Sequence, residues 1–92
     1  NVDAISSMSG LICINLQNCG LTSAKLTALN GHPLTTEINL ERNFLRTLDE
    51  LDLSTLPQLK EIALDGNAIS DFSMFDGTAI TVYGQDWQNA AY

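Results

Sequence analysis

The sequence predicts an α/β solenoid: a right-handed arc with a short parallel sheet on its concave face and irregular, 3-10 or short helical arms on its convex face. Three observations predict it. An apolar frame recurs in LICINLQNCGL (11–21), TTEINLERNFL (35–45) and LKEIALDGNAI (59–69). The interval is 24 residues both times, from Cys19 to Asn43 and from Asn43 to Asn67. Within each frame the apolar residues alternate with polar ones, the period of a short strand with one buried face. Between frames lie turn signals, Asn30-Gly31 and Pro33 after the first and Pro57 after the second. Self-similarity at one fixed period is the mark of a repeat architecture. Strands repeated in parallel must each be followed by an arm that returns the chain to its starting side.

Taken in order, residues 1–92 form a single domain. Residues 1–10 lack the full frame and read as an N-terminal cap or partial arm, with Ile5 and Met8 laid over the first layer. The repeats are 11–34, 35–58 and 59–76. In the first, Ile14 and Leu16 point inward, and Ala24, Leu26 and Leu29 suit a helical turn or two. In the second, Ile38 and Leu40 point inward, and Leu45, Leu48, Leu51, Leu53 and Leu56 suit a tight arm with 3-10 geometry. In the third, Ile62 and Leu64 point inward, and Phe72 and Phe75 take the places of Leu48 and Leu51 one layer on. Residues 77–92 read as a terminal strand and C-terminal cap. There Ile80 and Val82 match the inward pair, Gln85 matches Asn67, and Trp87 or Tyr83 covers the last layer. On that match the interval from Ile62 to Ile80 is 18 residues.

Asn43 and Asn67 have their own physical reason. The chain turns out of the strand there and leaves backbone groups inside. A short amide offers two donors and an acceptor to satisfy them. Cys19 holds the same position with a weak thiol donor. Loss of the Asn67 amide is expected to cost on the order of 1–3 kcal/mol.

Composition narrows the function classes. Lys and Arg number 4 against 11 Asp and Glu, a formal charge of −7. Nucleic acid and anionic membrane surfaces need clustered cations, so both are disfavoured. A basic partner, a divalent cation or plain solubility all fit the balance. No apolar run approaches the roughly 18 residues of a membrane span. Cys13 and Cys19 are sent to different environments by the frame, so no disulfide scaffold is implied. That leans toward a reducing compartment without deciding between the cytoplasm and a bacterial cell surface.

The repeated frame resembles that of leucine-rich repeat proteins over residues 11–85. The arm SDFSMFDG after Asn-Ala-Ile resembles the arms of bacterial internalin-like surface proteins, as does the ending AITVYGQDWQ. LQNCGLT resembles ribonuclease-inhibitor-type units, but those need longer helical arms than this spacing allows. The resemblance implies binding through the concave sheet, by the outward residues of the strands.

Those residues are Cys13, Asn15 and Gln17; Glu37, Asn39 and Glu41; Glu61, Ala63 and Asp65; and Thr81 and Tyr83, with Arg42 at a strand exit. The candidate partner-binding set is Asn15, Gln17, Glu37, Asn39, Glu41, Arg42, Glu61, Asp65 and Tyr83. Neighbouring strands lie about 4.8 Å apart, so the carboxylates cluster. Either they dock a basic protein surface or they are mobile groups on a solvated face. Tyr83 is either a binding anchor or a side chain packed under the cap. No catalytic, metal or cofactor site is expected. Cys13 has no base nearby, since His32, the single histidine, falls in the NGHP turn and reads as a loop residue. The acidic run Asp49, Glu50 and Asp52 lacks the alternating oxygen ligands of a calcium loop and reads as a solvated arm. Two non-catalytic roles remain: a protein-binding module working through the sheet, or a structural unit of a longer array that self-associates through its open ends.

Overall fold

The computed structural model describes residues 2–8 and 10–88. Four three-residue strands, β1 (Cys13–Asn15), β2 (Glu37–Asn39), β3 (Glu61–Ala63) and β4 (Thr81–Tyr83), form one sheet. Their order is β1-β2-β3-β4 and every pair is parallel. Short 3-10 helices, η1 (Val2–Ser7), η2 (Ser23–Leu29), η3 (Leu53–Thr55) and η4 (Ser73–Phe75), lie between and before the strands. The whole is a slab of 35 × 32 × 18 Å.

Parallel pairing repeats the 24-residue interval in space. Cys13 pairs with Glu37, Ile14 with Ile38 and Asn15 with Asn39, and the next pair places Glu37 against Glu61 and Ile38 against Ile62. The residues between strands fold back over the inner face. Ile14, Ile38, Ile62, Leu40 and Leu64 are buried there against Leu26, Leu29, Leu45, Leu48, Leu51 and Leu56. Full burial of one such side chain contributes roughly 1.5–3 kcal/mol. Phe75 completes this core, with Phe72 half-buried beside it.

The amides of Asn43 and Asn67 lie wholly inside. Asn43 Oδ1 accepts from the backbone N–H of Cys19 and Leu21, both at 3.0 Å, and its Nδ2 donates to the carbonyls of Leu16 and Leu40. Asn67 repeats the pattern one layer on, accepting from Leu45 N–H at 3.1 Å and donating to Leu40 and Leu64. Each amide thus ties its own turn to the preceding one. Cys19 Sγ donates weakly to the Gln17 carbonyl at 3.5 Å and stays exposed.

The fourth strand corrects the frame. Val82, not Ile80, pairs with Ile62, so the last interval is 20 residues rather than 18. Gly84 then follows Leu64 in the inward row. It turns the chain at once, with φ 88, and a side chain there would collide with Asp65. The earlier layers make that turn three residues beyond the strand, at Asn18 (φ 57), Arg42 (φ 58) and Gly66 (φ 74). The early turn shifts the amide position as well. Gln88, not Gln85, accepts from Ile69 N–H at 2.9 Å and donates to Leu64 and Gly84. Glutamine is one methylene longer than asparagine, and that length lets a residue one place later reach the same groups.

Neither aromatic covers the last layer. Tyr83 is 48% exposed and Trp87 73% exposed. Trp87 contributes its carbonyl instead, accepting from Gly66 N–H. The cap proposed for 77–92 is described here only to Gln88, so Tyr92 lies outside the described residues. At the other end η1 packs on η2. Ile5 is half-buried, whereas the Met8 side chain is exposed.

His32 does lie in a loop, but it is buried there. Its ring sits between two carbonyls, with Nδ1 3.2 Å from Met8 O and Nε2 3.0 Å from Ala28 O. It joins the segment after η1 to η2. Thr35, likewise fully buried, donates to the Leu11 carbonyl at 2.7 Å. No helix among the described residues is long and apolar enough to cross a membrane.

Candidate sheet-face site

Strand alternation sends every second side chain away from the core. Cys13, Asn15, Glu37, Asn39, Glu41, Glu61, Ala63, Asp65 and Tyr83 consequently line one open depression of about 460 Å³ on the outer face of the sheet. Of the expected set, Asn15, Glu37, Asn39, Glu41, Glu61, Asp65 and Tyr83 meet there. Gln17 and Arg42 fall outside it, although Glu41 and Asp65, which hold the place of Gln17 in the next two layers, line it.

Local hydrogen bonds fix part of this surface. Asn15 Oδ1 accepts from Gln17 N–H and Asn39 Oδ1 from Glu41 N–H, so both asparagines brace the turns beside them. Glu37 and Glu61 are direct partners across β2 and β3, an unfavourable pairing of like charges. Each finds a neutral donor on the flanking strand. Cys13 Sγ lies 3.4 Å from Glu37 Oε2, and Tyr83 Oη donates to Glu61 Oε1 at 2.7 Å.

These contacts shift both donors. The hydrogen bond to Glu37 is the main cause that raises the Cys13 thiol above its ordinary value, helped by partial desolvation and the carboxylate's charge. Tyr83 is raised chiefly by its bond to Glu61, with the Glu61 and Glu37 charges adding to it. Both groups are held as neutral donors, and a thiol held in that form is a poor nucleophile. His32, the one histidine, is engaged with Met8 and Ala28 rather than with either cysteine. Cys13 and Cys19 are both free and exposed. Among the described residues, no three His, Cys, Asp or Glu side chains are placed to hold a metal ion.

Arg42 carries a signal that sequence reasoning missed. Its backbone is left-handed at a position where the neighbouring layers hold Asn18 and Gly66, residue types that adopt it readily. Its backbone N–H donates to the Asp65 carbonyl at 2.8 Å, and its side-chain stem lies against Gly66. Comparison with family models, with curated proteins and with solved structures gives no match.

Proposed function

We propose that this chain is a leucine-rich repeat solenoid of internalin-like type, and that it serves as a non-catalytic protein-binding module. Its sheet is the concave face, and Asn43, Asn67 and Gln88 act as a ladder of side-chain amides along one edge of the stack. The recurrence of one hydrogen-bond pattern from layer to layer supports the architecture.

The observation that carries the binding role is the shared depression. It gathers Glu37, Glu41, Glu61 and Asp65 beside one half-exposed tyrosine, with no cation in its lining. Carboxylates so placed attract a partner with a basic surface, and the attraction weakens as salt screens it. Tyrosine supplies rigid, amphipathic contact area of the kind that anchors interfaces. The scaffold is held by buried leucines and amides, so the face is displayed without rearrangement.

A labelled arginine-rich peptide tests this by fluorescence anisotropy against the intact chain. Saturable binding that falls with salt, and that is lost in Glu41→Lys and weakened in Tyr83→Ala, is the expected result. Equal binding by the parent and both variants would remove the sheet face from consideration.

A further inference from the structure

The edge strands of the sheet differ from the interior strands in a consistent way. At the first outward position, β2 and β3 carry Glu37 and Glu61, whereas β1 and β4 carry Cys13 and Thr81. Just before each strand, the interior layers hold Thr36 and Lys60. The edge layers hold Ile12, which is 58% exposed, and Ile80, which is half-buried. Monomeric sheet proteins usually do the reverse and place charge or proline on the edge to block pairing. Here the charge is interior, and the edges are neutral and flanked by isoleucine.

The backbone is open at the same places. Ile12 O accepts from Thr36 N–H and Leu16 N–H donates to Asn39 O, so these residues on either side of β1 face β2. A parallel ladder alternates, and the N–H and C=O groups of Cys13 and Asn15 therefore face the outer edge. On β4, Thr81 N–H and Tyr83 O are engaged with β3, which turns the polar groups of Val82 to the opposite outer edge. Neither edge has a strand partner among the described residues. The two edges are complementary to each other, since each interior pair already joins the same two kinds of edge.

We infer that a second copy of this chain docks head to tail, adding its β4 beside β1 in parallel. In the register of the existing pairs, Thr81 of one copy comes opposite Cys13 of the other, Val82 opposite Ile14, and Tyr83 opposite Asn15. Ile80 then meets Ile12, so the exposed isoleucine gains an apolar neighbour. The inward row Ile14, Ile38, Ile62 and Val82 runs on into Ile14 of the next copy. The half-buried residues at the two ends, Leu11 and Leu16 at one and Met74 and Val82 at the other, are covered. No charged residues are paired in this strand register. A head-to-tail contact of this kind does not close after two copies, so assembly continues in a line. The inference is independent of the binding role given to the sheet face.

Two single-edge variants test it, with light scattering and sedimentation over a wide range of protein concentration. Ile12→Lys blocks β1 and Ile80→Lys blocks β4. Lys60 occupies the same place in β3, so lysine is compatible with the fold there, and circular dichroism checks this for each variant. The parent chain is expected to grow in mass with concentration, without stopping at a dimer. Each variant alone stays monomeric, and the two mixed form one-to-one pairs and nothing larger, because one free edge of each kind remains. A parent that is monomeric throughout, a parent that stops at a closed dimer, or variants that still assemble alone would each overturn the inference. Association with an unrelated protein through β1 alone, with no self-assembly, would overturn it as well.

Discussion

Replacing Asn67 by alanine leaves the buried Leu45 N–H unpaired and removes one of two donors from each of two carbonyls, since Asn43 still donates to Leu40 and Gln88 to Leu64. Leu45 N–H loses its acceptor at 3.1 Å, and the carbonyls of Leu40 and Leu64 lose donors at 2.9 and 3.0 Å. A buried polar group left unpaired costs about 1–3 kcal/mol. Relaxation and water entry recover part of this, and single substitutions rarely exceed about 4–5 kcal/mol. One unpaired N–H and two weakened carbonyls give an expected loss of about 2–3 kcal/mol, the upper part of the range that sequence alone suggested. A chain of this length has a total stability on the order of 5–14 kcal/mol, so the loss is a large share. In urea melts followed by circular dichroism the midpoint should fall steeply, and the melting temperature should drop by on the order of 15 °C. Gln88→Ala leaves Ile69 N–H unpaired in a half-buried setting, while Leu64 and Gly84 keep donors in Asn67 and Trp87, and should cost less, about 1–2 kcal/mol. Cys19→Ala removes only one weak, exposed contact and should cost almost nothing. The graded order is the decisive feature. If Asn67→Ala melted within about 0.5 kcal/mol of the parent, the amides would not be satisfying the turns as described.

Four further outcomes follow from the geometry. Arg42→Gly relieves a left-handed backbone and is expected to raise stability by about 0.5–1 kcal/mol in the same melts, whereas Arg42→Ala should not. Glu37→Gln relaxes the like-charge pair with Glu61 and should stabilise by a few tenths of a kcal/mol at low salt, with the gain disappearing at high salt. The same change removes the charge and weakens the acceptor that raise the Cys13 thiol, so more thiolate is present at mildly alkaline pH and alkylation of Cys13 speeds up, read by mass spectrometry with Cys19 as the internal reference. Tyr83 likewise ionises above the ordinary tyrosine range, so the contact with Glu61 persists below the unfolded-state value and is lost as pH rises through the raised one. Ultraviolet titration of Glu61→Gln should return Tyr83 toward its usual value.

The interior layers were legible because they repeat. Ile38, Leu40, Asn43 and Leu45 recur as Ile62, Leu64, Asn67 and Ile69, and the structure buries all eight. Legibility failed where the period broke. Val82 and Gln85 imitate the spacing of Leu64 and Asn67, yet Gly84 turns early and hands the amide position to Gln88. Nothing in the local sequence marks that substitution, because it depends on a side-chain length matched to a displaced backbone. His32 was missed for a similar reason. A turn sequence announces a surface residue, but its two carbonyl partners, Met8 and Ala28, come from separate parts of the chain. Strand alternation placed the face residues well, since Glu37, Glu41, Glu61 and Asp65 all reach the depression. It did not exclude Gln17, which shares its place with Glu41 and Asp65 yet lies in the edge layer outside the lining, and it does not apply to Arg42, one residue further into the turn.

The most direct measurement of the binding role uses a second acidic cluster as an internal control. Asp49, Glu50 and Asp52 lie exposed on the arm after Leu48, away from the depression lining. Titration of the isotope-labelled chain with an arginine-rich peptide reports both clusters in one amide spectrum. The account predicts shifts concentrated at Glu37, Asn39, Glu61, Ala63 and Tyr83, with the arm nearly silent. Shifts of equal size at both clusters, or larger ones on the arm, would mean that charge alone attracts the peptide and would contradict a dedicated sheet-face site.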